Sequence, residues 1–306
     1  VRTPARLGVY GLGLVVVFGA ALGAGRAVGQ SDEPAADTAA DTAAHAAPDP
    51  AGHAGTAPDD DGGGAHAGTA TVTGLPGGLQ VAEDGYRLAP ETTGLTPGAA
   101  TEFRFRILGP DGAPVTGYTP THERDLHLIV VRRDLTGFQH LHPTRAGDGL
   151  WSIPLTVGEA GQYRVFTDFQ PAGRDKPLTL GVDVPAPGPY QPRQPGAERH
   201  ASEVDGYRVD VTGHLEPGAA SRLTLKISRD GSPVTDLQPY LGAFGHLVAL
   251  RAGDLAYLHV HPDETRSAGP EISFTVEVPS AGTYGLFLDF RHGDTVHTAT
   301  FTASAS

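Results

Sequence analysis

Beyond residue 78 the hydrophobic and polar positions fall into short runs broken by Gly, Pro and Asp. "EFRFRIL" (102–108) alternates apolar and charged side chains, the mark of a strand with one buried face. Further runs are "LHLIVVRR" (126–133), "FQHLH" (138–142), "WSIPLTV" (151–157), "QYRVFTDF" (162–169) and "LTLGVDV" (178–184). Outside the N-terminus no long segment shows the 3.6-residue period of a helix. Six or seven short strands within about a hundred residues predict a β-sandwich.

The pattern is then written a second time. "DGYRLAP" (84–90) matches "DGYRVDV" (205–211), and "LTPGAA" (95–100) matches "LEPGAA" (215–220). "DGAPVT" (111–116) matches "DGSPVT" (230–235), and "AGQYRVFTDF" (160–169) matches "AGTYGLFLDF" (281–290). Such internal self-similarity predicts two copies of one module. The Tyr after Ala-Gly at the start of a late strand resembles the tyrosine corner of immunoglobulin-like domains. The expected fold is therefore all-β: two tandem immunoglobulin-like β-sandwiches, 79–187 and 199–306, joined by a stiff Pro-rich spacer at 188–198. On that frame 126–133 is strand C, 138–142 is C′, 162–169 is F and 178–184 is G.

Strand parity locates the candidate chemistry. If Leu126, Leu128 and Val130 face the core, His127 faces outward. Leu141 in the core sends His140 and His142 outward together, and Tyr163 in the core sends Asp168 outward. Antiparallel order F–C–C′ places His127, Asp168 and His142 at one end of one sheet. His246, His259, His261 and Asp289 repeat the set in the second module. Three N/O ligands with an open position suit Cu(II) or Zn(II), held by neutral imidazole, with binding expected to weaken below about pH 6. His292 and His297 bracket the F–G turn of module two and are candidates for extra ligands there. His122, His200 and His214 have no counterpart in the other copy and read as surface residues. A packing reading competes: Ile129, Phe138 and Phe166 share the outer face, so the modules can bury these faces together with the histidines as hydrogen-bonding groups.

The N-terminal part reads differently. Arg2 and Arg6 precede an apolar run of 19 residues, Leu7–Gly25, and Ala27-Val28-Gly29 offers a small-residue cleavage site. Residues 1–29 are thus a signal peptide or a single transmembrane helix acting as anchor, and either places the remainder outside the cytoplasm. Residues 30–78 hold Ala, Asp, Gly, Thr and Pro with almost no large apolar side chain, which predicts a disordered tether. His45, His53 and His66 within it have no fixed geometry.

Composition narrows the chemistry. A net charge of -13 without a basic patch argues against nucleic acid as partner. With no Cys there is no disulfide, thiolate site or Cys nucleophile, and with no Met there is no thioether site for Cu(I). Neither G-x-S-x-G nor a Walker-type loop is present.

The paired "HLHP" (140–143) and "HVHP" (259–262) modules behind an export signal resemble secreted heavy-metal-associated proteins of high-GC bacteria. Residues 80–303 are similar to CopC/YtkA-like copper-resistance domains, small immunoglobulin-like sandwiches outside the cytoplasm. That resemblance implies copper handling or delivery rather than catalysis. CopC domains ligate Cu(II) through a His at the mature N-terminus. Here about 50 residues separate the export signal from the first module, so no family ligand is carried over. "LHVHP" is superficially similar to the His-x-His ligands of Cu,Zn superoxide dismutase, yet that enzyme's cysteines and bridging His are missing. The expected protein is a non-enzymatic binder of copper or zinc. It would buffer the metal or deliver it to a membrane transporter or another extracytoplasmic protein. The alternative is a structural or adhesive tandem with histidines at a packing interface.

Overall fold

A computed structural model describes residues 75–258, 260–263 and 268–306, with His261 described through its backbone. The expected export segment 1–29, the expected tether up to residue 74 with its three histidines, and His259 lie outside the described residues. The described part falls within one compact unit, Ala65–Ser306. Among the described residues no helix is long and apolar enough to cross a membrane.

Module one contains β1 (Ala82–Glu83), β2 (Tyr86–Pro90), β3 (Ala100–Leu108), β4 (Leu126–Arg132), β5 (Gln139–Leu141), β6 (Thr144–Arg145), β7 (Leu150–Thr156), β8 (Gly161–Phe169) and β9 (Leu178–Ala186). They form two sheets, β1-β2-β3-β7-β6 and β5-β4-β8-β9. Module two contains β10 (Ala201–Val204), β11 (Tyr207–Gly213), β12 (Ala220–Arg229), β13 (Ser232–Pro233), β14 (Gly245–Arg251), β15 (Tyr257–Leu258), β16 (Val260–Pro262), β17 (Glu271–Glu277), β18 (Gly282–His292) and β19 (Thr295–Ala305). Its sheets run β10-β11-β12-β17-β16 and β15-β14-β18-β19, with β13 on β12. Strands C′, C, F and G are β5, β4, β8 and β9, in that spatial order. The chain is an all-β tandem of immunoglobulin-like sandwiches.

Each core forms between the inward faces of its two sheets. Phe103, Phe105 and Ile107 of β3 meet Leu126, Leu128 and Val130 of β4 and Val165 and Phe169 of β8, all essentially buried. The tyrosine corners close both sandwiches. Tyr163 donates its hydroxyl to the Glu159 carbonyl at 2.8 Å, and Tyr284 donates to the Ser280 carbonyl at 2.6 Å. One core position is mismatched: the Thr167 hydroxyl, between Leu128 and Leu180 in register, is buried without a hydrogen-bond partner among the described residues. An orphan buried hydroxyl costs about 1–3 kcal/mol. Thr167→Val keeps the shape and removes the orphan, so chemical denaturation should show a gain of about 1 kcal/mol. An unchanged midpoint would contradict this account of the site.

The outer face of β4 is also buried, so all seven of its residues are buried. The cover is module two. Ile129, Val131 and Phe166 join Val248, Leu250, Leu255 and Phe287 in a third apolar cluster. Phe138 lies flat on Phe287 with centroids 4.1 Å apart, and Phe166 meets Tyr257 at 5.6 Å. In the sequence repeat Phe138 corresponds to Tyr257, and Phe166 to Phe287. The contacts are reciprocal, like those of an isologous dimer.

The end of the expected tether is part of this interface, contrary to a disordered boundary at residue 78. Gly78 N–H donates to the Thr179 carbonyl, Gly181 N–H to the Gln80 carbonyl and Tyr257 N–H to the Gly77 carbonyl. Residues 77–80 thus link β9 of module one to β15 of module two. The approach demands glycine, because a Cβ on Gly181 would lie 2.1 Å from the Gly78 carbonyl oxygen.

Candidate metal centre

The site grows from β4 and β5. In register, Ile129 opposes His140 and Leu128 opposes Leu141, so His142 follows on the same outer face as His127 and His140. His127 Nδ1 lies 3.0 Å from His140 Nε2, and His142 Nε2 lies 3.2 Å from His127 Nδ1. The three ligand atoms all fall within 4.8 Å of one another.

Hydrogen bonds at the far side of two rings decide which nitrogens carry protons. His127 Nε2 donates to the Thr121 carbonyl at 2.9 Å, so its Nδ1 presents a lone pair. His140 Nδ1 donates to Asp289 Oδ2 at 2.8 Å, which leaves its Nε2 facing His127. Two lone pairs at 3.0 Å repel, so a cation belongs between them: a proton or a metal ion. Tetrahedral nitrogens about 2.0–2.1 Å from a zinc ion stand about 3.3 Å apart, close to the spacings observed. Fixing imidazole ligands from behind with a carbonyl and a carboxylate is how metal sites commonly orient them.

Burial disfavours charge on His127 and His142. It holds His127 down to about 3, against the opposing pull of the Thr121 carbonyl, and holds His142 down to about 4. His246 is likewise lowered to about 4 by burial.

The remaining candidates divide. Asp289 stands behind His140 rather than in the ligand group, and its other oxygen accepts from Thr298 Oγ1 at 2.6 Å. Asp168 is opposite His127 in register but does not join the trio. Its Oδ1 accepts from Thr179 at 3.2 Å, and burial raises its pKa to about 6. His246, opposite Asp289, donates from Nε2 to the Tyr240 carbonyl at 2.7 Å, the counterpart of His127 with Thr121. His259 and the side chain of His261 lie outside the described residues, so the expected second trio does too.

One expectation is corrected. His297 pairs with Phe290, a core-facing residue one register step from Asp289, so period-2 alternation puts it on the opposite face. There it bonds Asp205 at 2.8 Å, while His292 bonds the Tyr207 hydroxyl at 2.7 Å and Asp236 at 3.1 Å. Neither adds a ligand to the site. His122, read as a surface residue, is exposed and stands at the rim of the site, with ring centroids 5.9 Å from His127 and 5.2 Å from His246. The turn that carries it closes through the Thr121–Arg124 bridge. His200 and His214 are exposed. A cavity of about 640 Å³ between the modules is lined by His122, His127, His140 and His246, so the centre opens onto space where a fourth ligand fits.

Fold and geometry together define a tandem of immunoglobulin-like sandwiches with a three-histidine cluster at the module interface. The chain belongs to the family described as Domain of unknown function (DUF8832), which matches residues 80–186 and again 202–306. No curated protein matches it. Similar solved structures include the Escherichia coli adhesin FdeC, at 16% identity and TM-score 0.25, covering 72% of this chain and 65% of that one. The Yersinia pseudotuberculosis adhesin InvE follows at 14% identity and TM-score 0.24, covering 72% of this chain and 59% of that one. Domains 5-6 of the S-layer protein SbsC share 14% identity at TM-score 0.22, covering 71% of this chain and 95% of that one. The chain spans under two thirds of the length of the two adhesins, and these likenesses carry no argument about activity.

Proposed function

We propose that the chain is a non-enzymatic extracytoplasmic metal-binding protein that buffers or delivers Zn(II) or Cu(II). The observation carrying this reading is the convergence of His127, His140 and His142, with the first two oriented so that bare nitrogens face each other. The export segment supports the location, and the CopC/YtkA resemblance favours copper, with a transporter or another extracytoplasmic protein as recipient. Titration calorimetry of the full chain with Zn(II) and with Cu(II) tests it. At least one equivalent should bind more tightly than about 10 μM at pH 7.4. Weaker binding of both metals sinks the reading.

The pH dependence differs from that of free histidine. Burial holds His127 and His142 near 3 and 4, so protonation of these two rings competes with metal at lower pH than protonation of a free imidazole would. Folding without metal responds earlier. An imidazole depressed in the folded state binds protons first in the unfolded chain, so stability falls as pH drops from 6.5 toward 4. Asp168, raised to about 6, runs the other way and offsets part of this loss. Metal-free thermal unfolding between pH 7.5 and 4 should therefore show a falling midpoint.

A second reading has its own observation. The apolar cluster between the modules makes the tandem a stiff unit, with the His140–Asp289 bond as a buried polar contact. A structural or adhesive role follows if the titration is silent.

A further inference from the structure

We infer that the second module is a working part of the metal centre. Asp289 is a positioning residue that couples metal affinity to the docking of the two modules. This rests on the metal-binding reading and deepens it.

Within module one little holds the His140 ring. β5 is three residues long, half-buried, and pairs with β4 at three register positions. The ring's orienting bond instead crosses the interface to Asp289 Oδ2, and the two side chains are 6% and 4% exposed. Asp289 is itself set by Thr298 on β19. A docked module two therefore keeps the proton on His140 Nδ1 and the lone pair on Nε2, facing His127. With the modules apart, His140 Nδ1 faces water, and its proton is free to reside on the nitrogen that must ligate. Metal then binds the docked arrangement better. By linkage, docking is strengthened by the same factor that metal affinity gains. Loss of such an outer partner typically costs about 10–100-fold in metal affinity.

The test uses the full chain and Zn(II) alone. Amide hydrogen exchange with and without Zn(II) should show added protection in 138–141 of module one and also in 284–290 of module two. Asp289→Ala should lower Zn(II) affinity by about 10–100-fold without changing stoichiometry, and metal should then protect module one alone. Asp289→Asn keeps an acceptor of nearly the same shape and should recover part of the affinity, which a merely steric role would not separate from Ala. Circular dichroism checks that each variant is folded. Wild-type affinity in folded Asp289→Ala, or wild-type protection confined to module one, overturns the coupling and leaves metal binding intact. Absence of Zn(II) binding by the wild-type chain removes both.

Discussion

His127→Ala is expected to lower Zn(II) and Cu(II) affinity on the order of a thousandfold, about 4 kcal/mol, while leaving module one folded. His127 is the hub: its Nδ1 lies within 3.2 Å of both other ligand nitrogens, and its Nε2 is anchored on the Thr121 carbonyl. Removing it leaves two imidazoles on the short edge segment at 139–142. Calorimetry of the variant against wild type, with far-UV circular dichroism as the folding check, reads the effect. Equal affinities would place any bound metal elsewhere. His122→Ala serves as the contrast, since that ring stands at the rim outside the group of three and should change affinity far less.

Phe287→Ala should separate the two modules energetically. Phe287 is 3% exposed and stacked on Phe138, yet it faces away from its own module's core. Truncating a buried Phe costs about 3–5 kcal/mol, and here the loss falls on docking rather than on either sandwich. Trp151, the single tryptophan, lies in the module one core and reports that module alone. In the wild-type chain the fluorescence and circular dichroism transitions should coincide. In Phe287→Ala they should part, as expected when two units lose their coupling. Coincident transitions at an unchanged midpoint would show that this stack contributes nothing to docking.

Much of this was legible along the chain. Side chains two apart share a strand face whatever the sheet packs against. Leu126, Leu128 and Val130 in the core therefore put His127 outside, and Leu141 put His140 and His142 beside it. The duplicated "AGQY" and "AGTY" marked the corner tyrosines, which close on carbonyls four residues earlier in both modules. The apolar outer face of β4 also hinted that something covers it, because a strand exposed on one side rarely reads "LHLIVV". The equal weight given to Asp168 and Asp289 did not survive. Both follow the same parity, but one carboxylate bonds a threonine of its neighbouring strand while the other also reaches an imidazole of the opposite module.

The sequence alone determined strand parity, the module repeat and which histidines of module one share a face, because those follow from the two-residue period of a strand. Only the tertiary structure decided that the faces close on each other, that residues 77–80 lie between them, that His122 stands at the rim, and that Asp289 completes the setting of His140. These depend on the fit between surfaces far apart along the chain, which no local period encodes.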